Sequence, residues 1–245
     1  MSGVTSPRSQ QPQKPRVLYI TSRGHSGSTL LSLLTSGHSQ VVSAGELKML
    51  TNPDPERRLC SCHRLVPEQC PFWGAVQKRV LAAVGRPLDQ LVLSDNGDDS
   101  SFLADNEALY AAITAVSGAA LIVDSSKSLP RLSRLLTAEA QGAAFTIHTV
   151  HLHRGPFGSM NSARKKGDQL RQAAHTYNRL FFLSRELLRG RKALRVYYER
   201  LASSPRAEMA RLMGWLHLPL EESQFQWREG IRRDIHGNAM RFKKS

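Results

Sequence analysis

The junction at residues 17–31 constrains the fold more than any other stretch, because "VLYI" runs directly into "TSRGHSGSTLL". Val17, Leu18, Tyr19 and Ile20 are apolar without alternation, the pattern of a strand covered on both faces. Leu30, Leu31, Leu33 and Leu34 then follow helical spacing. Between strand and helix lies a short turn carrying Gly24 and Gly27. Backbone N–H groups at a helix start lack intrahelical partners, and the helix dipole makes that end positive. A glycine-bearing turn at such a place can wrap an anion, with Ser26, Ser28 and Thr29 as hydroxyl donors. An ordinary strand-to-helix turn capped by Ser or Thr accounts for the same residues. A Walker A loop does not, because Gly27 is followed by Ser28 and Thr29 with no Lys, and Gly24 precedes it by only three.

Three further runs read as buried strands: Ala120–Val123, Phe145–Leu152 and Ala193–Tyr197. Helical patterns lie between and after them, and this alternation predicts a parallel sheet with helices on both faces. Asp105 or Asn106 can cap a helix whose apolar positions are Leu109, Ala112, Ile113 and Val116, with Gly118 as its stop. Leu170, Ala173, Ala174, Tyr177, Leu180, Phe181, Leu187 and Leu188 form a longer stripe that reads as core. Ser204 and Pro205 open a helix expected to bury Met209, Leu212, Met213 and Leu216.

The chain is 245 residues long with 40% hydrophobic residues, which suits one domain over residues 16–245. Residues 1–15, "MSGVTSPRSQQPQKP", are too polar to offset ordering entropy and read as a disordered tail. The tail has no apolar stretch of the signal-peptide kind, and no run approaches the roughly 18 apolar residues of a membrane span. The expectation is a cytoplasmic protein with reduced thiols. Lys and Arg number 34 against 20 acidic residues, giving a net charge of +14. That surplus attracts anions: nucleic acid, an acidic membrane surface or a multiply charged small ligand.

At this point the residues resemble a family. "RGHSGSTLL" is similar to the 5′-phosphosulfate loop of sulfotransferases that use 3′-phosphoadenosine 5′-phosphosulfate (PAPS), of the bacterial, carbohydrate-sulfotransferase-like kind. "VVSAGEL" at 41–47, "CSCHRLVPEQCPFW" at 60–73, "VDSSKSLPRL" at 123–132, "HLHRGPFGSMNSARKK" at 151–166, "YYERLASSPRAEMARLMGWL" at 197–216 and "HGNAMRF" at 236–242 match in the same order. The resemblance implies an α/β, three-layer P-loop-like fold with a central, mostly parallel sheet. It implies PAPS as sulfuryl donor, bound at Arg23, Gly24, His25, Ser26, Gly27, Ser28 and Thr29. It also implies a 3′-phosphate on Arg154 and Ser162, Tyr198 near the adenine, and Arg241 in a basic loop closing over the same phosphate. An Arg fork with a hydroxyl beside it is chemically suited to phosphate.

For the chemistry, the resemblance implies that Glu46 takes the acceptor's proton and that Lys127 and His25 stabilise the charge developing on the bridging oxygen. The family has Lys or Arg where His25 stands, so an imidazole with a pKa of about 6.5 must be charged by the bound anion, or Arg23 must serve instead. The phenol and steroid members place a His before Leu-Pro, where this chain has Ser128 before Leu129 and Pro130; that departure favours Glu46. The acceptor is a small molecule or a glycan, which the sequence does not specify further. A P-loop-like phosphotransferase lacks its Walker Lys here. A non-catalytic bisphosphate or nucleic-acid binder is the remaining alternative, although "ARKK" at 163–166 and "RGRK" at 189–192 lack stacking aromatics.

Cys60, Cys62 and Cys70 with His63 do not have a standard zinc spacing, and zinc, a redox-dependent pair and plain thiols all remain open. His151 and His153 share one side of a strand without a third ligand nearby in sequence, and read as strand-end residues near the donor. No metal and no nucleic acid are expected.

Overall fold

Strand β1 (Arg16–Thr21) lies between β3 (Leu121–Asp124) and β4 (Thr146–His153), with β2 (Val41–Gly45) and β5 (Ala193–Tyr197) on the edges. All four pairings are parallel, giving the order β2-β3-β1-β4-β5. The computed structural model describes residues 14–95, 97–228 and 232–242. Most of the expected N-terminal tail, residues 1–13, lies outside the described residues.

Side chains alternate across each strand, so a sheet covered on both faces has two cores. Val17, Tyr19, Ile122 and Ile147 face one core with helices α2 (Pro71–Val84), α3 (Asp99–Ser117) and α4 (Leu129–Ala140). Leu18, Ile20, Val123, Val150 and Val196 face the other. That side is closed by α1 (Ser28–Ser36), α7 (Tyr198–Ser203) and α8 (Pro205–Trp215), which bring in Leu31, Leu34, Leu201, Met209, Leu212 and Met213. Helices α5 (Pro156–Lys165) and α6 (Leu170–Leu187) pack on each other beyond β4. The result is the expected α/β architecture of a parallel sheet flanked by helices. Among the described residues no helix is long and apolar enough to cross a membrane.

The local readings hold unevenly. Three of the four strand runs begin or end one residue away from the expected limits, and Ala193–Tyr197 matches fully. The fifth strand, β2, was not among those runs. Helix α3 starts seven residues before Asn106: Asp98 is its cap, accepting from the Ser101 N–H at 2.8 Å. Asp105 and Asn106 are instead buried inside the helix, where they staple the preceding loop. Asp105 accepts from the Val92 N–H at 2.6 Å and from Arg86, while Asn106 donates to the Val92 and Phe102 carbonyls. Gly118 does stop α3, in the left-handed region at φ 69°. Ser204 stands at the start of α8, but its hydroxyl makes no capping bond.

The α6 stripe is also different from the reading of it as core. Only Ala173 and Ser184 of this helix are buried, and Phe182 is 63% exposed. Helical periodicity reports that one face is apolar, and it cannot report whether another layer covers that face.

Candidate active site

The loops that follow the carboxyl ends of all five strands converge on one cleft of about 360 Å³. In open parallel sheets this edge is where crossovers part to opposite sides and leave a crevice. The turn after β1 contributes Gly24, His25, Gly27, Ser28 and Thr29 to it. Glu46 directly follows β2, Lys127 lies three residues past β3, Arg154 directly follows β4 and Tyr198 directly follows β5. Ser162 and Lys166 reach the same cleft from α5 and its end.

The β1–α1 turn has the backbone of an anion cradle. His25 has φ 66° and Gly27 φ 92°, both left-handed, and no side chain caps the start of α1. The first bond of the helix is Leu31 N–H to Gly27 O at 3.1 Å, so the amides of Ser28, Thr29 and Leu30 have no intrahelical acceptor. Gly27 is required twice. Its φ strains any other residue, and a Cβ there would lie 2.2 Å from Cδ2 of Tyr198. The Tyr198 ring thus covers the turn, and Arg154 stacks over it at 4.3 Å while donating to the His25 carbonyl at 2.9 Å. The Arg154 Nε is buried without a partner among the described residues.

Not every residue of the loop faces the cleft. Ser26 and Arg23 line a smaller cavity behind the turn, shared with His151, His153 and Tyr177. There the imidazoles of His151 and His153 meet, with Nδ1 and Nε2 3.1 Å apart. Burial pushes their pKa values down to about 3 and about 4, helped for both by Arg195 and for His151 by His153. His25 is also held below its ordinary value, first by burial and then by Lys166, Arg23 and Lys127, against the opposing pull of Asp168.

On the other side of the cleft, the Lys127 ammonium donates to Glu46 Oε1. Both groups are mostly shielded, at 18% and 8% side-chain exposure. Their positions come from a buried lock at the end of β3. Asp124 Oδ2 accepts from Arg131 Nη2 at 3.0 Å and Nε at 3.3 Å, and Arg131 Nη2 also bonds Tyr110 Oη at 3.0 Å. Asp124 Oδ1 accepts from the Ser126 N–H at 3.0 Å, turning the loop so that Lys127 takes a left-handed φ of 61°. Ser128 then caps α4 by accepting from the Arg131 N–H.

A strap at residues 234–241 completes the wall. The Glu46 N–H donates to the Ile235 carbonyl at 2.9 Å, and the Asn238 N–H donates to Thr29 Oγ1 at 3.3 Å. His236, Gly237, Asn238 and Met240 line the cleft, and none of these was singled out from sequence. Arg241 was, and its side chain lies elsewhere. It is 5% exposed, with Nη1 donating to the Leu59 and Asp234 carbonyls at 2.8 and 2.9 Å. Its guanidinium anchors the strap to the 59–65 hairpin, and Lys166 is a further cation at the cleft among the described residues. No sequence signal separates the two, because Arg241 is held by backbone carbonyls and the Asp234 side chain acts on it only electrostatically.

The family model described as the sulfotransferase family matches residues 17–222. Among solved structures, the sulfotransferase domain from the Synechococcus PCC 7002 olefin synthase aligns at TM-score 0.55 and 20% identity, covering 93% of this chain and 82% of that one. The sulfotransferase domain from the curacin biosynthetic pathway aligns at TM-score 0.55 and 20% identity, covering 96% and 83%. At that identity the likenesses speak to the fold. No curated protein sequence matches this chain. A match over most of the length, on a sheet whose strand ends build an uncapped helix start facing a carboxylate and an ammonium, leads to one conclusion: the chain belongs to the sulfotransferase family.

Proposed function

We propose that this chain moves the sulfuryl group of PAPS to a hydroxyl or amine of a small-molecule or glycan acceptor, by in-line displacement and without a metal. The observation that carries this reading is the single cleft in which the unpaired amides of α1, Arg154 and the Glu46–Lys127 pair all meet. The residues fit the donor. Its negative charges, about four in all, need a cationic site with many N–H donors. The uncapped start of α1, the unpartnered Arg154 Nε, Ser162 and Lys166 supply one.

When bound, the donor supplies an activated sulfuryl group on a phosphate leaving group. The rest belongs to the chain. The amides of residues 24–29 hold the phosphosulfate end, Arg154 and Ser162 hold the 3′-phosphate, and Tyr198 stands beside the base. Glu46 receives the acceptor's proton, for which it must lie within hydrogen-bond reach of that oxygen. Lys127, paired with Glu46 before the reaction, turns its ammonium toward the bridging oxygen as charge develops there. His25 contributes a second positive charge if the adjacent anion restores its protonation.

Titration calorimetry tests the reading. Adenosine 3′,5′-bisphosphate is expected to bind tightly, with ATP and magnesium giving no comparable heat. Preference for ATP with magnesium would replace this reading with a phosphotransferase. Salt-sensitive binding to any long polyanion, without preference for the bisphosphate, would replace it with a nucleic-acid binder.

A further inference from the structure

The three cysteines of the chain meet at one point, although the sequence puts only two of them close together. Cys60 and Cys62 lie on the hairpin whose strands bridge at Leu59 and Leu65. Cys70 stands at the start of α2. The Cys60 N–H bonds the Arg64 carbonyl at 2.9 Å, and the Cys70 N–H bonds the Leu65 carbonyl at 3.2 Å, which folds the hairpin back onto the helix start. The three sulfur atoms all lie within 4.8 Å of one another, and those of Cys62 and Cys70 are 3.5 Å apart. Thiolates bound at about 2.3 Å around a tetrahedral ion are about 3.8 Å from each other, so this triangle closes on an ion with little movement.

We propose that Cys60, Cys62 and Cys70 form a zinc site of three thiolates. On binding, three Zn–S bonds form, the thiol protons leave to solvent and no electrons change hands. Two surroundings favour the anionic cluster. Cys70 sits at the positive end of a 14-residue helix, and Arg241 faces the cluster closely enough to interact with Cys60. Cys60 and Cys70 are buried while Cys62 is half-buried, so the fourth position opens toward solvent on the Cys62 side. His63, adjacent in sequence, stacks on Phe242 with ring centroids 4.6 Å apart and is not part of the triangle.

The site fastens more than itself. Cys60 bridges Ile235, the Ser61 N–H donates to the Asp234 carbonyl at 2.9 Å, and Arg241 holds the Leu59 carbonyl. Zinc would therefore stiffen the hairpin that carries the strap of the cleft. The proposal stands whether or not the donor is PAPS.

The test uses the purified full chain, reduced, loaded with zinc sulfate and dialysed against a weak chelator. One zinc per chain by mass spectrometry is expected, together with a melting temperature that rises with zinc and falls with a strong chelator. Cobalt in place of zinc is expected to give sulfur-to-cobalt charge-transfer absorption in the near ultraviolet. Losing an outer-shell partner alone costs about 10–100-fold in metal affinity, so Cys62→Ser is expected to weaken zinc by at least about a hundredfold. If that variant does not fold, the cobalt spectrum of the native chain decides. Failure to retain zinc together with no charge-transfer band would overturn the proposal. So would a Cys62–Cys70 disulfide, seen as a chain lighter by two hydrogens, that forms with zinc present.

Discussion

The two halves of the cleft are built to different standards. On the β2–β3 side, the Glu46–Lys127 pair rests on Asp124 and Arg131, whose side chains are fully buried, and on a strap bonded to β2 through Ile235. On the β4–β5 side, Arg154 is followed by α5, which carries Ser162, and by α6, and these helices leave Phe157 91% and Phe182 63% exposed. On the proposed function, the first half fixes two groups whose separation matters for proton transfer, where small displacements are expensive. The second grips by charge, which tolerates a looser frame because attraction to a phosphate falls off gradually with distance. Substitutions in the first half should therefore affect rate or stability, and those in the second should affect affinity.

The largest effect is expected at Glu46. Glu46→Gln should lower kcat by about 10²–10⁴-fold while leaving bisphosphate affinity intact by calorimetry, since it removes the proposed proton acceptor and none of the groups proposed to hold the donor. Unchanged turnover would remove Glu46 from the chemistry. Next comes Arg131→Met, which strands the Asp124 carboxylate in the core and should cost about 3–5 kcal/mol in urea unfolding. A loss below about 1 kcal/mol would mean that the lock does not hold this half together.

Across the cleft, Arg154→Ala removes charge-assisted bonds worth about 1.5–3 kcal/mol, so bisphosphate affinity should fall by about 10–100-fold. Its urea midpoint should barely move, and a large stability loss would erase the contrast between the halves. The smallest effect concerns His25. Its pKa lies below the ordinary value in the free chain, and a bound anion raises it, so binding takes up protons and tightens as pH falls. His25→Gln should remove that gain, a difference of less than about tenfold relative to the native chain. Parallel pH profiles for the two proteins would exclude a protonated His25.

The same contrast explains which parts were readable beforehand. β1 and β3 carry unbroken apolar runs, VLYI and LIV, because helices cover them on both faces, and such runs stand out, whereas β4, TIHTVHLH, shows itself by β-branched residues with Ile147, Val150 and Leu152 buried. β2, "VVSAG", is fully buried but made partly of Ser, Ala and Gly, since Ser43 bonds Ser32 and Asp234 and the strap lies against Gly45. Close packing by small residues erases the hydrophobic signal. Asp105 carries the residue type of a helix cap, and only the fold reveals that it serves the loop at Val92. At the site, the glycine-bearing turn was legible from local pattern, while Glu46, Lys127, Arg154, Ser162 and Tyr198 came from the family resemblance; all of them line the cleft at the strand ends. The resemblance at HGNAMRF brought residues 236–242 to the cleft as a closing loop, but His236 and Asn238, about two hundred residues beyond the turn that they cover, were not named individually because nothing local marks their return. Arg241 turns instead to the Leu59 and Asp234 carbonyls, backbone atoms that leave no mark in the sequence.

The proposed donor site depends most on main-chain amides at the start of α1. A crystal of the full chain soaked with adenosine 3′,5′-bisphosphate examines this directly. The 5′-phosphate should accept from the amides between Gly24 and Thr29, with the 3′-phosphate on Arg154 and Ser162. A nucleotide seated elsewhere, or held in this cleft with those amides bonded to nothing, would contradict it.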